Sequence, residues 1–256
     1  MKKLLCMLLV AIMVIGLVSC GSSLEEGEKG AIIKMCLTTL PDTFDPSAYS
    51  IDADSAKIYS LMYMGLTTIN SKGELSKGLA YEWGYYYDSI YEEDKMYFEM
   101  YDTGWNDGRR VSSSDFVYAW SRILSPESNS PYASLLYPIK NAKAVKMGDM
   151  TSDDLGLAAA DDTRIEITFE DGYVKNNGKE VAKQFATTVA NIAFAPLRED
   201  KIDDDWTTTF TITEVMSCGP YALRGYNNTD DLRKLELERN TFYRRDDEDE
   251  DEPLDA

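Results

Sequence analysis

Apolar residues recur along this chain with two different periods. Phe116, Val117, Trp120, Ile123 and Leu124 fall at helical spacing, which puts them on one face of an α-helix. Ser112-Ser113-Ser114-Asp115 stands before them as the helix start, a Ser followed three residues later by an acid, with Asp in place of the longer Glu of a capping box. Pro126 ends that helix. A second amphipathic helix is predicted over Ala53–Leu66, with Ala56, Tyr59, Met62 and Tyr63 as its stripe and an end near Gly65. Val181–Ala195 reads as helical at first and breaks at Pro196. A short helix through Tyr137 follows Ser130-Pro131-Tyr132, and Ala142–Met147 leads to Gly148.

The other period is two. Met96–Tyr101 (MYFEMY), Arg164–Phe169 (RIEITF) and Leu232–Arg239 (LRKLELER) alternate as half-buried strands do. Thr67–Ile69 before the Asn70–Gly73 turn, Leu79–Trp83 and Leu155–Ala159 add shorter strands. The acids and tyrosines at 85–94 read as a solvated hairpin end, and Ala31–Leu37 (AIIKMCL) as a strand that stops at Leu40-Pro41-Asp42. Trp105-Asn106-Asp107-Gly108 supplies a tight turn, because Asp-Gly tolerates positive φ. Asp246–Glu252 is almost pure acid and is expected to be disordered, and it lacks the glycine and spacing of a calcium loop.

The N-terminus carries a different signal. Met1-Lys2-Lys3 is basic, and Leu4–Val18 is an apolar run, shorter than the ~20 residues that span a bilayer core. This is the layout of a secretory signal over residues 1–19. Leu17-Val18-Ser19-Cys20 resembles the bacterial lipobox, in which the cysteine is lipid-modified and becomes the mature N-terminus. Residues 20–30, which begin Cys20-Gly21-Ser22-Ser23, then form a small, flexible tether. The expected location is outside the cytoplasm, lipid-anchored to the cell membrane through Cys20. Of the 4 cysteines, Cys6 leaves with the signal and Cys20 carries lipid, so Cys36 and Cys218 remain as a candidate disulfide or as two free thiols.

Charge and composition narrow the function. The net charge is −19, which opposes nucleic-acid binding. There is no histidine, so Ser-His-Asp hydrolysis and the commonest zinc sites are excluded in their usual forms. Asp107, Asp115 and the carboxylates near 153 and 161 are not placed together by any pattern, so nothing points to an enzyme, a metal site or a cofactor. Tyr outnumbers Phe by 17 to 8, and tyrosine suits half-buried surfaces and wet clefts.

Several segments then occur in one order: Leu40–Pro46 (LPDTFDP), Met64-Gly65-Leu66, Leu79–Trp83 (LAYEW), Trp105–Gly108 (WNDG) and Asp115–Leu124 (DFVYAWSRIL). Ser130–Ala133 (SPYA), Leu155–Asp162, Ser217–Leu223 (SCGPYAL) and Leu235–Tyr243 (LELERNTFY) continue it. Through them the chain resembles the extracellular solute-binding proteins of family 5, cluster C, the oligopeptide- and dipeptide-binding lipoproteins of ABC importers. The match has one gap: Asp171–Lys179 (DGYVKNNGK) stands where the family has a Pro-rich aromatic segment.

The resemblance implies an α/β fold, a periplasmic-binding-protein type II-like clamshell that closes on its ligand. It implies that residues 31–63 and 198–256 are parts of a discontinuous ligand-binding lobe and 64–197 an inserted α/β subdomain. It also implies that the second lobe is missing, so that the chain is truncated to the N-terminal half. The function implied is capture of peptides for the permease subunits of an importer; the alternative is a non-functional remnant or one half of a split protein. Ligand main chain is expected to pair with Ser50, Ile51 and Asp52, or with Ala53 where the alignment to the family slips by one, as an added strand would. Tyr132 is expected in the cleft near the peptide start. Each of these positions also has a plainer reading, as a loop or a packing tyrosine.

Overall fold

The computed structural model describes residues 34–41, 43–48, 51–202, 214–229 and 232–243. The chain divides into two compact units, Met1–Cys36 and Leu37–Ala256. Of the first, residues 34–36 are described; they are exposed and belong to no strand. The strand expected over Ala31–Leu37 is therefore not formed at 34–37, and Ala31–Ile33 lie outside the described residues. An apolar run becomes a strand only where a neighbour pairs with it. The acidic stretch at 246–252 also lies outside the described residues.

In the second unit, helix α1 spans Ala53–Met62. Asp52 caps it: its side chain accepts from the N–H groups of Asp54 and Ser55 at 2.9 and 3.0 Å. The buried face is Ser55, Ile58, Tyr59 and Met62, with Ala56 half-buried beside it. The helix stops four residues before the predicted Leu66, because the next stretch of backbone is taken by neighbours. Met62 O accepts from Gly219 N–H (2.8 Å), Gly65 O from Leu79 N–H (2.8 Å), and Leu66 O from Ala80 N–H (2.8 Å). The approach at Gly219 is so close that a Cβ there would lie 2.8 Å from the Met62 and Tyr63 backbone.

Strands β1 (Thr67–Ile69) and β2 (Leu75–Lys77) form a small hairpin. The main sheet is antiparallel and is built from β3 (Ala80–Asp88), β4 (Glu93–Met100), β5 (Leu157–Ala159) and β6 (Arg164–Thr168), in the order β3-β4-β6-β5. Pairing runs to Asp88↔Glu93, so most of 85–94 is strand and only residues 89–92 turn. Asp88 fixes that turn by accepting from the N–H groups of Ile90 and Tyr91. One sheet face is apolar: Met96 sits across from Ile167 and Phe98 from Ile165, all fully buried. The other face is a lattice of charge and tyrosine, with Arg164 between Glu99 and Glu166 and 4.3 Å above the Tyr97 ring.

Helices α2 (Ser113–Leu124), α3 (Ala142–Met147) and α4 (Gly178–Thr188) complete this layer. Helix α2 starts as expected, with the Asp115 carboxylate accepting from Ser112 N–H at 2.9 Å. It packs on β5 and β6, while α4 packs on β3 and β1. Helix α4 starts three residues earlier than the apolar pattern indicated, at a glycine against which the Tyr85 ring lies; a Cβ on Gly178 would stand 2.3 Å from that ring. The core centres on Trp120, which meets Phe116, Phe185 and Phe194 edge-on at 6.1–6.4 Å and donates from Nε1 to Phe194 O. A last hairpin, β7 (Tyr221–Asn228) with β8 (Arg233–Arg239), packs through β7 on α1.

Candidate functional site

The segment entering α1 is held from several sides. Tyr59 on α1 and Tyr63, the residue just past its end, donate from their hydroxyls to Thr43 O (2.7 Å) and Phe44 O (2.5 Å). Tyr226 on β7 donates to Pro41 O at 2.7 Å, and its ring meets Phe44 edge-on at 5.2 Å. Asp45 lies beneath, with no exposed side chain, ion-paired to Arg122 near the end of α2. Its other oxygen accepts from the Ser47 N–H (2.8 Å) and hydroxyl (2.7 Å). The Asp45-Pro46 turn is thus a buried, fully engaged corner.

Further along, Ile51 N–H donates to the Tyr132 hydroxyl at 3.0 Å, across 81 residues. The structure therefore brings together two of the positions that the sequence marked for ligand. Tyr132 is half-buried, and its ring meets Phe194 edge-on at 6.2 Å, which ties it to the Trp120 core. Asp52 is exposed, but its carboxylate is committed locally: beyond the two capping bonds, it accepts from the Ser55 hydroxyl at 2.6 Å. That hydroxyl and the Ser55 N–H hold the Asp52 pKa below the ordinary carboxylate value. Ser50 and Cys20 lie outside the described residues.

The Trp105–Gly108 turn does more than reverse the chain. Gly108 has φ +88, and its N–H donates to Trp105 O. Trp105 is fully buried and donates from Nε1 to Asp115 at 3.0 Å. Asp115 also pairs with Arg109, which reaches Asp200 at 3.2 Å. Arg198, buried and 5.8 Å from the Trp105 ring centre, holds Asp200 with two N–H groups (2.6 and 2.7 Å) and Asp107 with a third (2.9 Å). The Arg198 bonds hold the Asp200 pKa down to about 2. Burial works against the Asp107 carboxylate, but the Arg109 N–H and the Arg198 guanidinium outweigh it and lower its pKa. Asn106 exchanges two hydrogen bonds with the Ser217 backbone, and the Asn240 amide reaches Gly104, Ser217 and Gly219 carbonyls. A charged ring and an amide web thus join 104–115 to 198–200 and to the chain flanking β7–β8. Sequence reading took this turn as plain structure; WNDG together with a distant Arg-x-Asp was its only signal.

The candidate disulfide is not formed. Cys36 is exposed and Cys218 buried, and both are free. The Cys218 sulfur instead accepts from Met64 N–H at 3.5 Å, and burial pushes its pKa up to about 12. The hollow beside Phe44, Tyr63, Trp105 and Arg198 measures about 20 Å³, room for roughly one water. A more open groove of about 330 Å³ lies at Asn141, Lys143, Met147 and Glu170, lined by none of the predicted residues. Among the described residues no cluster of acids and cysteines is placed to hold a metal ion, and no helix is long and apolar enough to cross a membrane.

Residues 102–253 match the pattern of the bacterial extracellular solute-binding proteins, family 5 Middle. The chain belongs to this family. The oligopeptide-binding protein OppA of Bacillus subtilis is 27% identical over 227 residues, covering 87% of this chain and 38% of that protein. A probable deoxycholate-binding periplasmic protein, YgiS of Escherichia coli, is 31% identical over 51% of this chain and 24% of its own length. Among solved structures, the murein tripeptide binding protein MppA of Escherichia coli superposes with a TM-score of 0.62 at 28% identity, over 79% of this chain and 37% of that one. The α/β fold expected from the resemblance is therefore that of periplasmic peptide-binding proteins. The chain spans between 24% and 38% of the length of these family members.

Proposed function

We propose that this chain is the substrate-binding lipoprotein, or part of it, of an ABC-type peptide import system. It captures oligopeptides or dipeptides outside the membrane and passes them to the permease subunits. Residues 31–63 and 198–256 contribute to the ligand-binding lobe, and 64–197 form the inserted α/β subdomain. Lipid on Cys20 anchors the protein to the membrane. Peptide main chain docks along Ser50, Ile51 and Asp52, close to Tyr132.

The observation that carries this reading is the convergence of Ile51 and Tyr132 on one hydrogen bond, in a family whose relatives include proteins named for binding oligopeptides. A segment held at both ends, by Asp45–Arg122 on one side and the α1 cap on the other, suits recognition through main-chain bonds. Such bonds are shared by every peptide and so tolerate varied side chains.

The test is uptake. Cells lacking the gene should take up radiolabelled trialanine more slowly than cells with the gene restored, and a version with Cys20→Ala should fail to restore uptake at the cell surface. Uptake unchanged by the deletion contradicts the transport role. Mass spectrometry of the mature N-terminus checks the anchor: an unmodified Cys20 rules it out.

A further inference from the structure

We infer that the groove beside α3 is a docking surface for a second protein, and that it takes a basic segment with apolar residues between its lysines or arginines. The inference stands apart from the peptide-import reading, because none of the residues assigned to the imported ligand lines this groove.

The groove measures about 330 Å³ and is open along one side. Its walls are α3 with the residues flanking it, from Asn141 to Asp149, and Glu170 just past β6. These walls are fixed. Asn141 enters α3 at φ +63, a left-handed conformation that persists where the surroundings hold it. Glu170 accepts from the Asn141 N–H at 2.9 Å, and the Asn141 side-chain amide donates to Asp154 O at 2.7 Å. Next to it, Lys140 N–H donates to Thr168 O and Gly156 N–H to Lys140 O, both at 2.9 Å. The groove thus has its shape before a partner arrives, which keeps the ordering cost of docking small.

Its chemistry names the partner. Met147 is 61% exposed on the wall, and an unbranched thioether in that position adapts to differing apolar side chains. Among the lining residues two carboxylates, Asp149 and Glu170, stand against one cation, Lys143. Asp153, Asp154 and Asp171 add exposed acids close by, while Lys140 is engaged by Glu93 at 2.7 Å. A carboxylate offers about four acceptor sites, so Glu170 retains capacity beyond its bond to Asn141. This sign of charge disfavours nucleic acid and anionic lipid. A second copy of a chain with net charge −19 would bring further acid. What fits is a cationic polypeptide whose Lys or Arg meets the carboxylates and whose apolar residue covers Met147.

The probe is acetyl-Arg-Leu-Arg-Leu-Arg-amide, titrated into the full chain while methionine methyl groups are followed by NMR. It should shift Met147 and leave Met96, fully buried in the sheet, unmoved. Asp149→Lys should weaken the response several-fold, and Lys143→Glu should strengthen it several-fold. Both side chains are exposed, so neither change disturbs the core. The acidic twin acetyl-Glu-Leu-Glu-Leu-Glu-amide should give no shift. Raising salt from about 0.15 M to about 1 M, which shortens the screening length from about 8 Å to about 3 Å, should remove most of the response to the basic probe. No shift at Met147, or one that ignores both substitutions, overturns the proposal. A shift with Arg-Leu-Arg-Leu-Arg bearing free termini, and none with the blocked probe, also overturns it, since the groove would then read the ends of a free peptide rather than a segment within a protein.

Discussion

Arg122 and Asp45 form an ion pair across 77 residues of sequence, with both side chains buried. Helix α2 thereby holds the corner that leads toward the segment read as the ligand strand. Removing one partner leaves an uncompensated charge in the interior, which costs roughly 3–5 kcal/mol. Arg122→Met should lower unfolding stability by that order in urea titration. The double change Arg122→Met with Asp45→Asn should lose clearly less, because the stranded carboxylate is gone. Equal losses in the single and double variants would show that the pair is not what holds the corner.

Acid should loosen the Arg198 ring before the rest of the core. The Arg198 bonds hold the Asp200 pKa at about 2, against an ordinary value of 3.8. A carboxyl depressed in the folded state adds stability that is complete above its unfolded pKa and is lost as pH falls through the folded one. The window is therefore pH 4 down to about 2. Asp107, held down in the same direction, adds to the same loss. The Asp200 side chain is half exposed, so solvent screening keeps its share small. The thermal midpoint should fall steeply below pH 4 in the wild type and less steeply in Asp200→Asn. Parallel curves for the two proteins would remove Asp200 from the account.

The two thiols should differ sharply toward alkylation. Cys218 is buried, hydrogen-bonded to Met64 N–H and raised to about 12 in pKa, whereas Cys36 is exposed. The thiolate is the reacting form. Brief iodoacetamide treatment of the native protein, followed by peptide mass mapping, should label Cys36 and spare Cys218 until denaturant is added. Native labelling of Cys218 at the rate of Cys36 contradicts the packing at α1.

What could be read from the sequence was what is local. DFVYAWSRIL carries its own 3.6-residue stripe and Ser–Asp start, and helix α2 follows it from Ser113 to Leu124. RIEITF carries its own alternation, and β6 keeps Ile165 and Ile167 inside. Tyr132 and Ile51 were each picked out through family likeness, but not the bond between them, because a contact across 81 residues leaves no periodic trace. The Arg198 ring was missed for the same reason: its charges look like surface acids and bases until folding stacks Arg198 over Trp105. The helix end at Met62 was misplaced because the backbone of 62–66 bonds to chain segments at 78–80 and 219. No pattern within 53–66 reports those partners. The Cys36–Cys218 pairing was expected from placing both on strands of one lobe, but Cys36 belongs to no strand and both thiols are free.

The most direct test of the peptide reading is calorimetry of residues 20–256, with a mixed tri- to pentapeptide pool in one cell and deoxycholate in another. The chain spans between 24% and 38% of the length of the family members compared, and on the peptide reading the residues described hold only part of the contacts to a ligand. A complete relative binding at about 1 μM has about −8 kcal/mol, and half of that is about −4 kcal/mol, near millimolar. The account predicts weak, saturable heat with the peptide pool in that range and none with deoxycholate. Saturable binding of deoxycholate with no saturable response to peptides would contradict it.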